Sequence, residues 1–458
     1  MDTRRDVNEA NGNGGAPRVA VVGAGLAGSL AALFMAREGY RVDLYERNPD
    51  MRRESVPGPS MNLGLSRRGL ESLSRVGLAE RVLARAIPMT GRVVHRLGSG
   101  DGYQAYGGRQ GEVINAIKRG DINITLLDAL DDEPGVETHF ERRLLDLDRD
   151  APGGVRLVFE DRAGGRHESE VDFVVGADGV HSAVRDAIHR GERADFQRTY
   201  LDWGWKELTI PAETAAGVLA GDAFHLWPRG GSMVFAHPNL DGTFTCSFVL
   251  PFEGPVSFAS LSTPEAVRAL FAESFPSLSR LVPDLVEQFE ANPVIPLVSV
   301  RTWPWTHGDR VVLIGDAAHA VVPFMAQGMN AGFEDCRLLV EALRSHRDRA
   351  AAFAAFARHR KPHSDALEEM SRANFTELRD RVRSPVLHAH KWLDTQLEGL
   401  LGEQWMTLHA RVTHTTMPYA EARRRAKRQD ALVGAAVVGL GVVVVGMLGL
   451  VRWLGGRG

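Results

Sequence analysis

A strand, a glycine turn and a helix open the chain at Arg18–Glu38. Alternating strands run between Tyr200 and Leu250, and an uncharged stretch extends from Ala431 to Val451. These three observations predict an α/β fold: a Rossmann-like nucleotide-binding domain with an inserted antiparallel-sheet domain, a C-terminal helical region and a C-terminal transmembrane helix.

Met1–Pro17 is polar, without an apolar core, and reads as a disordered lead-in rather than a signal peptide or a spanning helix. Arg18–Val22 is a short apolar strand. Gly23-Ala24-Gly25-Leu26-Ala27-Gly28 turns it into a helix reaching about Glu38, and the next strand, Arg41–Glu46, ends in an acid. In such a G-x-G-x-x-G turn the glycines let backbone N–H groups approach a pyrophosphate, and the acid lies where ribose hydroxyls would be bound. Helical patterns follow at Ser66–Ala86 and Asp121–Leu130, with a strand-like stretch at Gly91–Leu97 between them. Asp172–Gly176 is a buried-type strand that leads into Ala177-Asp178-Gly179.

Alternation at Lys206–Ile210, His225–Trp227, Ser232–His237 and Thr243–Leu250, with a turn at Asn239–Gly242, predicts an antiparallel layer. Beyond Gly332 the pattern is helical to about Arg428. The expected division is a tail over 1–17 and a nucleotide-binding domain over 18–200, of which 60–110 contributes to the substrate pocket. An antiparallel sheet over 201–295, the rest of the nucleotide domain over 296–375, helices over 376–430 and an anchor over 431–451 complete it.

With 44% hydrophobic and 24% charged residues and a net charge of -4, the composition is that of an ordinary globular protein. No basic stripe suggests a nucleic-acid partner. Two cysteines, Cys246 and Cys336, support neither a disulfide framework nor a metal site. At about 1.5 Å per residue, a helix over 431–451 spans about 30 Å, the thickness of a bilayer's hydrocarbon core. Arg423, Arg424, Arg425, Lys427 and Arg428 precede it, while Arg452 and Arg457 follow. That bias predicts a lipid-bilayer anchor with the catalytic body on the cytoplasmic side.

The most informative segment is 313–336, an apolar strand that breaks at Gly315-Asp316 into a loop and then a helix start. Asp316 brings a carboxylate to the strand edge, and Pro323 fixes the turn. Gly328 lets bare N–H groups at a helix N-terminus, after Gln327, approach a flat anionic ring such as a reduced flavin.

In chain order, Gly23–Gly28 with Glu46, Asp178-Gly179 and Gly315-Asp316 resemble the three fingerprints of the single-component FAD-dependent aromatic hydroxylases, the class A flavoprotein monooxygenases. The likeness extends from about Arg18 to about Arg428. It includes such specific phrases as Pro238-Asn239-Leu240-Asp241-Gly242 and Gln327-Gly328-Met329-Asn330-Ala331-Gly332. The resemblance implies FAD on Gly23, Gly25, Leu26, Ala27, Gly28 and Glu46, on Arg119, Leu144, Asp178 and Asp316, and on Gly328, Met329 and Asn330. The chain has a single G-x-G-x-x-G, so NADPH or NADH would be a transient co-substrate. In this family O2 adds to the reduced flavin as a C4a-hydroperoxide, which must be shielded from water.

Further positions follow from the same likeness. Phe324 and Gln327 would serve catalysis, with Pro323, Phe324 and Met325 walling the pocket. Arg92, Tyr106 and Asn374 would grip the carboxylate of a small aromatic amino-acid substrate, a planar guanidinium matching a carboxylate in two-pronged fashion. His409 stands where the family has a second tyrosine for that carboxylate. Met325 replaces an aromatic residue or a histidine, and Trp203 and Trp205 replace smaller groups. These departures leave open a different aminoaryl acid as substrate, or a tethered flavoprotein that binds without hydroxylating. His319, beside the flavin motif, reads as structural.

Overall fold

The computed structural model describes residues 16–54, 61–98, 100–106, 112–381, 393–394 and 396–435. At its centre lies a sheet in the order Thr306–His307, Val311–Leu313, Phe173–Gly176, Arg18–Val22, Arg41–Tyr45, Val136–His139. All its pairs are parallel except the edge hairpin of Thr306–His307 with Val311–Leu313. Val19, Val21, Val174, Val175, Val312 and Leu313 are fully buried, as expected for strands covered on both faces. The helix Leu26–Arg37 packs on this sheet beside the long helix Gly328–Ser345.

The second large sheet has the order Ile295–Trp303, Asp195–Ile210, Phe244–Pro251, Met233–Pro238, Ala223–Pro228, Gly91–Val94, Gly102–Ala105. It is antiparallel apart from the parallel pairing of Ala223–Pro228 with Gly91–Val94. One face packs Phe248 against Phe271 and Phe289 from two helices and against Phe275 at a helix junction. The other face looks toward the 3-10 turn Pro323–Met325 and the helix Arg349–Thr376, with Trp203, Trp205, Phe235, Phe324 and Phe375 in one cluster.

The helix expected over Ser66–Ala86 is two helices, Arg67–Arg75 and Ala79–Leu83. Gly77 at φ 61° breaks the first, as a left-handed glycine commonly does at a helix end.

The expected C-terminal transmembrane helix is not supported, and with it fall the lipid-bilayer contact and the membrane-anchored placement with a cytoplasmic body. No helix among the described residues is long and apolar enough to cross a membrane. The described part of the segment ends a helix over 419–435 that carries Arg423, Arg424, Arg425, Lys427 and Arg428. It docks on the body instead: Tyr419 and Ala422 are buried against Ala366, Leu367 and Met370, and Arg411 donates to Gln429 at 2.7 Å. Residues 436–458 lie outside the described residues.

Candidate active site

The first turn has no room for side chains at two of its glycines. Gly23 sits at φ 103°, where a Cβ would lie 2.5 Å from the Ala177 carbonyl oxygen, and a Cβ on Gly28 would fall 1.7 Å from the Gly23 oxygen. A Cβ on Gly25 meets nothing, so open space lies above the N-terminus of Leu26–Arg37, which has no side-chain cap and no acid in its first turn. Bare N–H groups at a helix start facing open space suit a pyrophosphate. Leu26 and Ala27 pack beneath them, Ala27 against Gly315 and Gly332. Glu46 is aimed by the chain itself: Ala24 N–H donates to Oε2 at 2.9 Å, while Asn48 donates to Oε1 through its backbone and side chain.

The second and third motifs are tied together by one buried cation. Arg185, with no exposed surface, donates to the Ala317 carbonyl at 3.0 Å and to the Val180 carbonyl at 2.9 Å, joining the Asp316 turn to the Asp178 turn. Asp178 accepts from Ser182 and from Val184 N–H. Burial raises its pKa, although the residue retains some accessible surface, so it lines a recess. Asp316 is exposed and makes no hydrogen bond or ion pair among the described residues, and the same is true of the Arg119 guanidinium. Leu144 is half-buried against the parallel-sheet core.

At the third motif the first helical bond runs from Ala331 N–H to the Gln327 carbonyl at 2.8 Å. The N–H groups of Gly328, Met329 and Asn330 therefore point out of the helix start without helical partners. The Asn330 side chain is committed elsewhere: it accepts from Ser66 N–H at 3.0 Å and donates to the carbonyls of Gly64 and Ala326. It thus pins the helix start and offers only its backbone N–H outward. Gln327 is buried, with Tyr419 Oη donating to its Oε1 at 2.9 Å.

The spaces above the glycines, the unpartnered Asp316 and Arg119, and the bare N–H groups at Gly328–Asn330 fit an extended dinucleotide with a flat, electron-rich ring. Residues 17–371 match the FAD binding domain family. The chain is 49% identical over 432 residues to the kynurenine 3-monooxygenase of Salinispora arenicola, covering 93% of this chain and 94% of that one. It is 41% identical to the kynurenine 3-monooxygenase of Myxococcus xanthus, covering 92% and 91%. The chain belongs to the kynurenine 3-monooxygenase family. The fold alone is shared with 2-methyl-3-hydroxypyridine-5-carboxylic acid oxygenase (TM-score 0.66, 22% identity, 81% of this chain and 94% of that one). It is likewise shared with P. aeruginosa PqsL (TM-score 0.66, 22% identity, 80% and 97%).

In this member of the family, Arg92 lies on Gly91–Val94 with Nε donating to Gln104 Oε1 at 2.8 Å. Tyr106 follows the hairpin partner Gly102–Ala105. Burial pushes its phenol pKa upward, opposed by the nearby Arg92 charge, and its ring stacks on His409 with centroids 5.5 Å apart. Asn374 donates to the Phe324 carbonyl at 2.6 Å. Phe324 stacks on Phe375 at 4.6 Å and meets Phe235 edge-on at 6.1 Å. Pro323, exposed, begins the turn.

A buried charge network behind the third motif escaped the sequence reading. Asp335 accepts from Gly315 N–H at 2.9 Å and from Arg360 at 2.7 Å, and lies 2.5 Å from His319 Nε2. Glu334 bridges Arg360 and Arg68, and Arg68 also reaches the Met417 carbonyl and stacks over Tyr419. Burial opposes the charge of Asp335, yet His319 and Arg360 hold its carboxyl below the usual range. The available signal was a pair of adjacent acids inside an apolar helical pattern. His319 is structural, as its place in this network shows.

Proposed function

We propose that the protein hydroxylates L-kynurenine to 3-hydroxykynurenine, using FAD, NADPH or NADH, and O2. The observation that supports the substrate most directly is the Arg92–Tyr106 hairpin. It brings a cation and a deeply set phenol to one end of an aromatic wall whose other end is Phe324, beside the Gly328 helix start. FAD held by the glycine turns would supply the redox chemistry, passing electrons from the nicotinamide to O2, one atom of which enters the substrate while the other leaves as water. The chain's residues do the rest. Gly23–Gly28 and Glu46 take the adenosine half, Asp178 and Asp316 the middle, and the N–H groups of Gly328–Asn330 favour negative charge on the ring, worth about 0.3–2 kcal/mol. Arg92 and Tyr106 orient the substrate carboxylate, with Asn374 and His409 as further members of the pocket. Pro323, Phe324 and Gln327 form the water-excluding turn.

The ring amine of kynurenine donates electron density to the adjacent carbon, which suits that carbon for oxygen transfer. Purified protein is expected to be yellow, to oxidise NADPH faster when kynurenine is added, and to form 3-hydroxykynurenine only with oxygen. Rapid peroxide release without a hydroxylated product would remove the substrate assignment. One observation favours a second reading, another aminoaryl acid: an imidazole, His409, rather than a phenol stacks on Tyr106. Comparing such acids in wild type and Arg92→Ala separates the two, because turnover of the true substrate depends on Arg92.

A further inference from the structure

The three most buried imidazoles among the described residues, His95, His225 and His319, are spent on partners. His319 is paired with Asp335, and His225 joins His95 Nδ1-to-Nε2 at 2.8 Å while facing the Ala220 carbonyl at 3.0 Å. His237 differs. It lies on Met233–Pro238, on the same face as Phe235 two residues earlier, and neither ring nitrogen has a hydrogen bond or ion pair among the described residues. Its register partner on the adjoining strand, Thr245, accepts from Asn239 at 3.0 Å.

An unpaired polar ring in an apolar wall costs stability unless something else satisfies it. Desolvation lowers the His237 pKa to about 4, so the ring is neutral at physiological pH, yet the residue keeps accessible surface. A deeply set group with accessible surface lines a cavity rather than fills a core. Its neighbours identify the cavity. The His237 ring lies 4.8 Å from Phe224, whose register partner on the adjoining strand is Arg92. Phe224 stacks on Phe235, and Phe235 meets Phe324. The imidazole therefore stands beside Phe224, the ring that links the Arg92 strand to the Phe235–Phe324 end of the wall.

We propose that His237 reads the substrate: its neutral imidazole hydrogen-bonds a polar group at the aryl end, either donating to the ketone or accepting from the ring amine, while Arg92 and Tyr106 hold the carboxylate. This rests on the site reading above. A neutral imidazole offers one donor and one acceptor, so either group can satisfy it.

The test compares wild type, His237→Leu and His237→Gln, each loaded with FAD. Three ligands are used: kynurenine, its analogue lacking the ring amine, and its analogue with the ketone replaced by methylene. Affinity is read from the flavin absorbance change, and function from ligand-stimulated flavin reduction by NADPH. For kynurenine, His237→Leu should weaken binding about 10-fold or more, with His237→Gln recovering most of the loss. For one of the two analogues, wild type and His237→Leu should bind alike, which identifies the group that is read. Equal kynurenine affinity in wild type and His237→Leu overturns the proposal. So does a uniform loss across all three ligands, the mark of a merely structural role. If wild type itself does not respond to kynurenine, the site reading fails and takes the His237 assignment with it; if it responds and no analogue is discriminated, only His237 falls.

Discussion

The parallel layer and the antiparallel wall treat polar groups in opposite ways. Behind the flavin motif, Asp335, Glu334, Arg360, Arg68 and Arg185 are buried, and each carboxylate or guanidinium is joined to several partners. On the substrate side, among the described residues, His237 has no hydrogen-bond partner and Arg92 is held by Gln104 alone. A site for a resident cofactor can be preorganised by internal bonds, because the same ligand always occupies it. A site for a transient substrate must leave donors and acceptors free for that substrate.

The largest break in this contrast comes from the cofactor layer. Asp335→Ala leaves His319 and Arg360 facing a buried void and should cost about 3–5 kcal/mol, with loss of bound FAD. Thermal unfolding and the flavin spectrum check both. Gly28→Ala should also yield colourless protein, since its Cβ would meet the Gly23 carbonyl oxygen. Arg92→Ala should do the reverse. FAD content stays at the wild-type level while kcat/KM for kynurenine falls roughly 30-fold to 1,000-fold, as when one partner of a desolvated charge pair is removed. Loss of flavin in Arg92→Ala would dissolve the distinction between the two regions.

Acid should separate the regions by pH. Burial lowers the pKa of both His225 and His237 from 6.5 to about 4. Between those values the unfolded imidazoles bind protons that the folded ones refuse, so stability rises with pH and is lost as pH falls from 6.5 toward 4. The loss is on the order of 2–3 kcal/mol per group. Asp335 behaves differently. Its folded pKa is depressed, so its contribution is intact above the ordinary carboxylate value and is lost only below it. Unfolding curves on descending pH should therefore weaken between pH 6.5 and 4, before the Asp335 contribution is lost, and His237→Leu should flatten that decline. The smallest change is expected for Glu46→Gln, which keeps the shape but loses a charge-assisted acceptor; FAD affinity should fall about 10-fold.

Much of the backbone geometry at the turns proposed for the cofactor was legible before the fold was known, because it is written in short stretches of chain. A glycine without space for a Cβ, an acid at a strand tip and bare N–H groups at a helix start are local properties of Gly23–Glu46 and Gly315–Asn330. Asn330 shows where this legibility stops: its position was readable, but not that its amide would be used up on Ser66, Gly64 and Ala326. The C-terminal run misled for a related reason. Apolar letters from Ala431 onward resemble a spanning helix, whereas the described part continues a basic helix packed against 366–370.

By itself the sequence determined the α/β order of the nucleotide-binding part, the family and the glycine turns at Gly23–Gly28 and Gly315-Asp316, since these depend on residues close together in the chain. Tertiary structure alone decided that Arg185 would tie the Ala317 and Val180 carbonyls together, that Asp335 would be ringed by His319 and Arg360, and that His237 would sit beside Phe224 with no hydrogen-bond partner among the described residues. Such pairings join residues far apart in sequence. Whether a buried polar group is satisfied depends on which distant atom folding brings within hydrogen-bond reach.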